Sequence, residues 1–350
     1  MTASPIIQVR TSPHVHSPRS VDIIMRNVIY ALLPIAAYAV WLYGWSALVL
    51  ILTTTFTCVL AEHLYCVLLH RETTVNDYSV AITGLLLGLV LPPGLPLWMG
   101  VLGSLVAVLP GKMIFGGIGH NVFNPALVGR AFLQAAFPVA ISTYYPPLDA
   151  HRFLQLAAST LAWPLMRPAP DAFSAATPLA QAKFDHVFAD PGGLFFGFHG
   201  GSAGETCIPL ILLCGLYLIY RKFMDWRIPA AMLLGAAVTG ELFHLVDPKV
   251  YPGALFVLLS GGLMLGAMFM ATDPVASPVT PRGMWIYGIL MGVLTVLIRF
   301  KGGLAEGVMY AILLGNSLSP LIDNLTQPRT YGERRRTDLS LSSKKAGVAQ

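Results

Sequence analysis

Six ionisable side chains fall inside runs that are otherwise apolar: Glu62, His63, Arg130, Glu241, His244 and, in the broken run ATDPVASP (271–278), Asp273. Charge at bilayer depth is costly, so such groups face a protein interior or a water-filled path. Glu241 and His244 stand three apart and share a helix face. Glu62, His63, Glu241, His244 and Asp273 therefore form a candidate cation path, and carboxylates with imidazoles serve either Na⁺ or H⁺. The competing role for any one of them, as for Asp323 near the end of the last apolar run, is to snorkel or to cap a helix end.

The densest polar stretch at this depth is GGIGHNVFNPALVGR (116–130). Gly116, Gly117 and Gly119 allow close backbone approach. Asn121 and Asn124 both donate and accept hydrogen bonds. Pro125 suits the first position of a helix, and Arg130 suits phosphate or carboxylate. This pattern fits a lining for a channel or a cofactor. Two further stretches are polar, DAFSAATPLA (171–180) and GSAGETC (201–207). On residues alone the first is an ordinary loop of small and polar residues. In the second, Glu205 can position a cofactor or open a helix, and Thr206 can cap it.

The elements that carry these residues are membrane helices. The chain has 350 residues, 55% hydrophobic and 11% charged, with a mean hydropathy of +0.67. A soluble domain carries about twice that charge. The apolar residues gather into blocks near the roughly 20 residues that span a bilayer. Ten spans are predicted: 27–44, 46–69, 79–95, 97–110, 121–138, 206–220, 228–246, 253–271, 283–299 and 304–323. Pro92, Pro93, Gly94, Pro96, Pro110, Pro248 and Pro274 mark joints between them. Residues 1–26 lack the apolar core of a signal peptide. Cys58, Cys66, Cys207 and Cys214 show no metal or CxxC spacing and read as small buried apolar groups.

With residues 1–26 in the cytoplasm, fifteen cations fall inside and six outside, with Arg130 within a span, out of 22 Lys and Arg. The positive-inside rule then puts both termini in the cytoplasm. The organisation expected is a cytoplasmic tail (1–26), a first five-helix unit (27–138), an outer loop (139–205), a second five-helix unit (206–323) and a basic cytoplasmic tail (324–350). TGLLLGLVLPPGLPL (83–97) parallels GGLMLGAMFMATDPVASP (261–278), and KMIFGGIGHNVFNPALVGRAFL (112–133) parallels RFKGGLAEGVMYAILLGNSLSP (299–320). Five spans is an odd number, so the second unit is inverted. Inverted repeats with interrupted helices mark transport folds.

SPHVHSPRSVDIIMRNVIYALLP, KMIFGGIGHNVFNPALVGRAF, DAFSAATPL, GGSAGETCIPLILLCGLYL and MATDPVASPVTPRG together resemble the D subunit of the Rnf electron-transport complex. More distantly they resemble the B subunit of the Na⁺-translocating NADH:quinone reductase. In that family a flavin transferase joins FMN, through a phosphoester, to the threonine of Asp-x-x-(Ser/Thr)-Gly-Ala-Thr. The resemblance implies attachment at Thr177, with Asp171 and Ser174 in the signature and Ala175 standing where the family has glycine. Attachment through a weakly nucleophilic hydroxyl needs that outside enzyme, together with an exposed, flexible turn.

The resemblance further implies a translocase subunit, inactive alone, in a bacterial inner membrane. Its complex couples electron flow between NADH and ferredoxin to Na⁺ or H⁺ transport. Expected partners are a second FMN-bearing subunit, iron–sulfur subunits, the flavin transferase and the bilayer, with no nucleic acid. Expected cofactors are covalent FMN on Thr177 and a second, non-covalent flavin, riboflavin or FMN, near the cytoplasmic side. Gly116, Gly117, Asn121, Asn124 and Arg130 are further cofactor-binding candidates. No residue is expected to act catalytically and no metal to bind. The alternative reading is a flavin-free channel or permease for a small solute. A weaker one is a structural subunit whose partners hold every cofactor.

Overall fold

Ser20 starts the first helix: its hydroxyl accepts from the Ile23 amide at 3.4 Å, and Asp22 adds negative charge to the first turn, where the helix dipole favours it. In the computed structural model this helix, α1, runs Val21–Tyr43, so it begins six residues before the expected 27. The structure describes residues 20–71, 73–157, 159–164, 177–303 and 305–328. Asp171 and Ser174 lie outside the described residues.

The other helices follow in order. On the first side of the outer loop lie α2 (Trp45–Leu68), α3 (Ser79–Val90), α4 (Leu97–Val108) and α5 (Pro125–Ala136), and the short α6 (Pro138–Ser142) leads into it. The loop itself holds α7 (Pro178–Ala180) and α8 (Pro191–Phe196). Beyond it come α9 (Ile208–Tyr220), α10 (Arg227–Val246), α11 (Ala254–Leu259), α12 (Leu263–Leu265), α13 (Pro281–Lys301) and α14 (Val308–Thr326). Among the described residues the regular structure is helical, and each of the ten predicted segments contains helix.

Among the described residues, only α1, α2, α10 and α13 combine the length and apolar character to cross a bilayer unaided. α3 and α5 have 12 residues each and α9 has 13. Such helices rise about 18–20 Å, short of the ~30 Å hydrocarbon core. The cause lies in the sequence. Pro92, Pro93 and Pro96 lack N–H groups and end α3 early, and Ala203 and Gly204 bond to the Leu91 and Leu89 carbonyls that α3 leaves free, at 3.2 and 2.6 Å. α4 continues through a wider π turn, Leu109–Met113, which holds Pro110. The predicted span 253–271 is interrupted: α11 stops at Ser260, and after Gly261 and Gly262 helix resumes as α12 and a π turn, Gly266–Met270.

Packing follows small residues, as expected where lipid gives helices no hydrophobic reason to associate. A Cβ on Gly292 of α13 would stand 2.2 Å from the Met232 carbonyl of α10. α2 packs on α3 and α4, and α4 on α5; in the second half α10 packs on α11 and α13, and α13 on α14. The shared core is aliphatic, with Leu87, Leu89 and Leu91 fully buried. The four cysteines are buried and free. At the α1–α2 corner Gly44 takes φ +69°, and a Cβ there would lie 2.0 Å from the Arg152 carbonyl. That carbonyl accepts from the Trp45 amide at 3.1 Å, which ties the outer loop to the corner.

Candidate functional site

α5 carries one site at each end. Asn124 caps its start, its side chain accepting from the Ala126 amide at 3.1 Å with Pro125 at the first position. Arg130, six residues on, lies about 9 Å further along the axis. The two ends face different cavities.

One cavity, of about 330 Å³, is lined by Thr177, Arg130, Gln134, Tyr144, Glu306 and Tyr310, among others; it is named the outer cavity after the expected side of the 139–205 loop, and the other the inner cavity. Thr177 sets itself into it as the N-cap of α7, its hydroxyl accepting from the Ala180 amide at 3.2 Å. The residue is 7% exposed. Thr177 itself is therefore not exposed as expected, and Pro178 and Leu179 beside it are buried as well; the preceding residues of the signature, 171–176, lie outside the described residues. Arg130 pairs with Glu306 and stands 3.8 Å from Glu205. The Tyr144 hydroxyl donates to Glu306 at 3.1 Å. One guanidinium is thus held between two carboxylates in a cavity that Thr177 also lines. A planar guanidinium with spare donors is a ready partner for a phosphoryl group.

The inner cavity, about 110 Å³, is lined by Ser79, Thr83, Lys112, Asn121, Asn124 and Asp273, with Met25, Met224, Met268 and Phe269 among its apolar walls. Asn121 donates to the Phe123 carbonyl at 3.0 Å and Asn124 to that of Met270 at 3.4 Å. Asp273 lies in the 271–280 loop outside the helical spans and accepts from the Val275 amide at 3.1 Å. Burial raises its carboxyl from the ordinary range to about 6, against the opposing pull of that amide and of Asn121. Gly116 and Gly117 shape the preceding turn, with φ +118° and +95°, while Ile118 and Asn121 are the turn residues that reach the cavity.

The candidate path residues separate. Glu62 is fully buried; it accepts from Lys112 at 2.7 Å and from the Thr74 hydroxyl. Lys112 also donates to the Ser79 hydroxyl at 2.7 Å. His63, one residue on, is exposed on the outside of α2. Glu241 and His244 do face the same way, toward the 247–254 turn: Glu241 accepts from the Ala254 amide at 3.1 Å, and a His244 ring nitrogen lies 2.7 Å from the Tyr251 carbonyl. Asp323 caps α13, taking the Val279 and Thr280 amides.

Sequence reasoning passed over two buried cations, counting each as a charge at a helix end. Lys112 is 2% exposed and so is Arg299. Arg299 donates to the carbonyls of Val257 and Ser260 at 2.8 and 2.9 Å. Sequence does offer one signal, since 112 and 299 both open the paralleled segments of the two halves. Glu306 was also missed, although the Gly302–Gly303 pair before it matches Gly116–Gly117 in the sequence of the first half.

A polytopic helical membrane protein with polar sites at interrupted helices is the class these observations define. The chain matches the model of the NQR2, RnfD, RnfE family over residues 8–332, and it belongs to that family. It is 39% identical over 340 residues to the D subunit of the proton-translocating ferredoxin:NAD(+) oxidoreductase complex of Clostridium ljungdahlii, covering 94% of this chain and 97% of that one. It is 41% identical over 336 residues to the D subunit of the ion-translocating oxidoreductase complex of Stutzerimonas stutzeri, with 91% and 94% covered. The D subunit of the Na(+)-translocating ferredoxin:NAD(+) oxidoreductase complex of Acetobacterium woodii is 41% identical over 331 residues, with 93% and 95% covered. The family expectation drawn from the motifs is met.

Proposed function

We propose that this chain is the D subunit of an ion-translocating ferredoxin:NAD oxidoreductase complex and carries FMN, ester-linked through its phosphate, on Thr177. The observation that carries the reading is the placement of the Thr177 hydroxyl in a cavity it shares with Arg130. The fit is chemical as well as spatial. The volume of about 330 Å³ falls at the lower end of the ~300–1,000 Å³ usual for ligand sites. Arg130 and Tyr144 supply donors for phosphoryl oxygens, and Glu306 is the counter-anion that Arg130 exchanges for them. A bound flavin supplies the electron chemistry; the chain supplies position and field. Because Thr177 is buried, modification precedes docking of its turn.

The inner cavity is our candidate for a second, non-covalent flavin. Asn121 and Asn124 offer the paired donors and acceptors that a flavin's pyrimidine edge uses. At about 110 Å³ the cavity must open to admit a tricyclic ring.

We further propose ten spans arranged as two inverted five-helix units, in a bacterial inner membrane with both termini cytoplasmic. The same pattern of neighbours in the two halves supports this, as do two matched pairs: Lys112 with Arg299, and Gly129–Arg130 with Gly315–Asn316. The charge asymmetry supports the orientation. Glu62, fully buried, and Asp273, half-buried in the lining of the inner cavity, are the path candidates whose placement favours a role in coupling. Second FMN-bearing and iron–sulfur subunits are the electron partners this reading requires.

The test is to express the chain with its flavin transferase, denature it and read flavin fluorescence in the gel band. Wild type fluoresces and Thr177→Ala is dark. A dark wild-type band overturns the reading and brings forward the flavin-free channel.

A further inference from the structure

Arg299 is a full charge buried in the second half, and its bonded partners are unusual for one. Its two terminal nitrogens donate to main-chain oxygens, those of Val257 and Ser260, at 2.8 and 2.9 Å. Both oxygens belong to the end of α11, where helix 254–270 is interrupted. Carbonyls at the C-terminal end of a broken membrane helix carry the negative end of its dipole and are a recurrent ligand set for small cations.

The guanidinium leaves this set incompletely used. Arg299 Nε and the Ser260 hydroxyl are buried without a hydrogen-bond partner, and Glu205 Oε1 accepts no hydrogen bond, its nearest cation being Arg130 Nη1 at 3.8 Å. Ser260, Arg299 and Glu205 are 0–3% exposed. Such orphans are rare and costly, and they signal a site whose natural complement differs from its occupant. Glu205 belongs to the same place: a Cβ on Gly262 would stand 2.7 Å from its Oε1. Gly261, at φ +62°, allows the break, and a Cβ there would lie 3.2 Å from the Arg299 Nη2. Main-chain carbonyls, a hydroxyl and one carboxylate make an all-oxygen set of low charge, which suits a monovalent cation.

We propose that Arg299 occupies a monovalent-cation site at the break in helix 254–270, formed by the carbonyl oxygens of Val257 and Ser260, the Ser260 hydroxyl and the Glu205 carboxylate. A small cation binds there when the guanidinium withdraws. Arg299 is a tethered competitor for it, and emptying the site of arginine opens it to free ions. Lys112 offers a parallel in the first half, an ammonium bound by Glu62 and by Ser79 at the start of α3. The inference does not depend on a flavin at Thr177.

The test uses the detergent-solubilised complex with this chain tagged, its thermal midpoint followed by size exclusion. Wild type, Arg299→Ala, Arg299→Gln and Arg299→Gln/Glu205→Gln are compared in equal concentrations of sodium, lithium, potassium and choline chloride. The single variants are expected to show a rise in midpoint over wild type when an alkali cation replaces choline, on the order of 5 °C at about a hundred times the dissociation constant. The double variant loses that extra rise. Equal midpoints in choline and alkali salts for folded Arg299→Gln overturn the proposal, as does a wild type that responds as strongly as the variant. Failure of both single variants to assemble in every salt also overturns it, because a bound cation should rescue them.

Discussion

The ammonium of Lys112 lies 2.7 Å from the Glu62 carboxylate, with both side chains shut off from solvent at 2% and 0% exposure. The pair joins the end of α4 to α2, and Lys112 adds a bond to Ser79 at the start of α3, so three helices meet on one charge. Removing one partner strands the other in a medium that cannot solvate it. Lys112→Ala is therefore expected to cost about 3–5 kcal/mol. Replacing both partners, as in Lys112→Met with Glu62→Leu, is expected to return most of that loss. Thermal midpoints of wild type and the two variants check this. A double variant no better than the single one would show that the pair does more than neutralise itself.

Arg130 makes the corresponding bridge at the outer cavity, between α5 and Glu306, just before α14. Arg130→Gln leaves Glu306 and Glu205 facing each other without a cation between them, at a cost of about 2–5 kcal/mol. Adding Glu306→Gln is expected to recover part of it. On the proposed flavin reading, Arg130→Gln also keeps a fluorescent gel band, since the ester forms on Thr177, but raises iodide quenching of the native flavin. Unchanged quenching would remove Arg130 from the phosphoryl site.

Gly44 is a sharper structural test. Its φ of +69° is strained for any residue with a side chain, and the Arg152 carbonyl occupies the place a Cβ would take. Gly44→Ala is expected to destabilise by about 2 kcal/mol or more, through strain and through detaching the outer loop. Limited proteolysis within the loop should accelerate. Gly193→Ala, which has open space around its Cβ, should change neither reading.

The helices were legible in the sequence because apolar blocks and prolines act locally. The buried ion pairs were not. Lys112 finds Glu62 fifty positions away, and Arg130 finds Glu306 176 positions away. Counting cations by side of the membrane assigns Lys112 and Arg299 to water, where the neighbouring helix ends place them, and nothing local says that a second helix covers them. The grouping of Arg130 with Gly116, Gly117, Asn121 and Asn124 followed their closeness in sequence. A helix between them carries the arginine to the other cavity. Thr177 was readable by its signature, but its burial comes from Leu179 docking against Gly261, a contact made across the fold.

Asp273 provides a pH readout. Its carboxyl is raised to about 6 in the folded protein by burial, whereas an unfolded aspartate titrates near 3.9. A raised folded value means that the folded state binds the proton more tightly. The favourable contribution is then complete below about pH 4, and it is lost as pH rises through 6. Above that, the folded protein holds an ionised carboxylate in a poorly solvating cavity. Asp273→Asn removes the titration and keeps the size. Its thermal midpoint is expected to exceed that of wild type at pH 7 and above, with the gap narrowing through pH 6 and closing near pH 4. Paired unfolding curves across that range check it. A gap that does not change with pH would mean that the Asp273 carboxyl titrates alike in the folded and unfolded chain, and that the inner cavity is wetter than its apolar walls suggest.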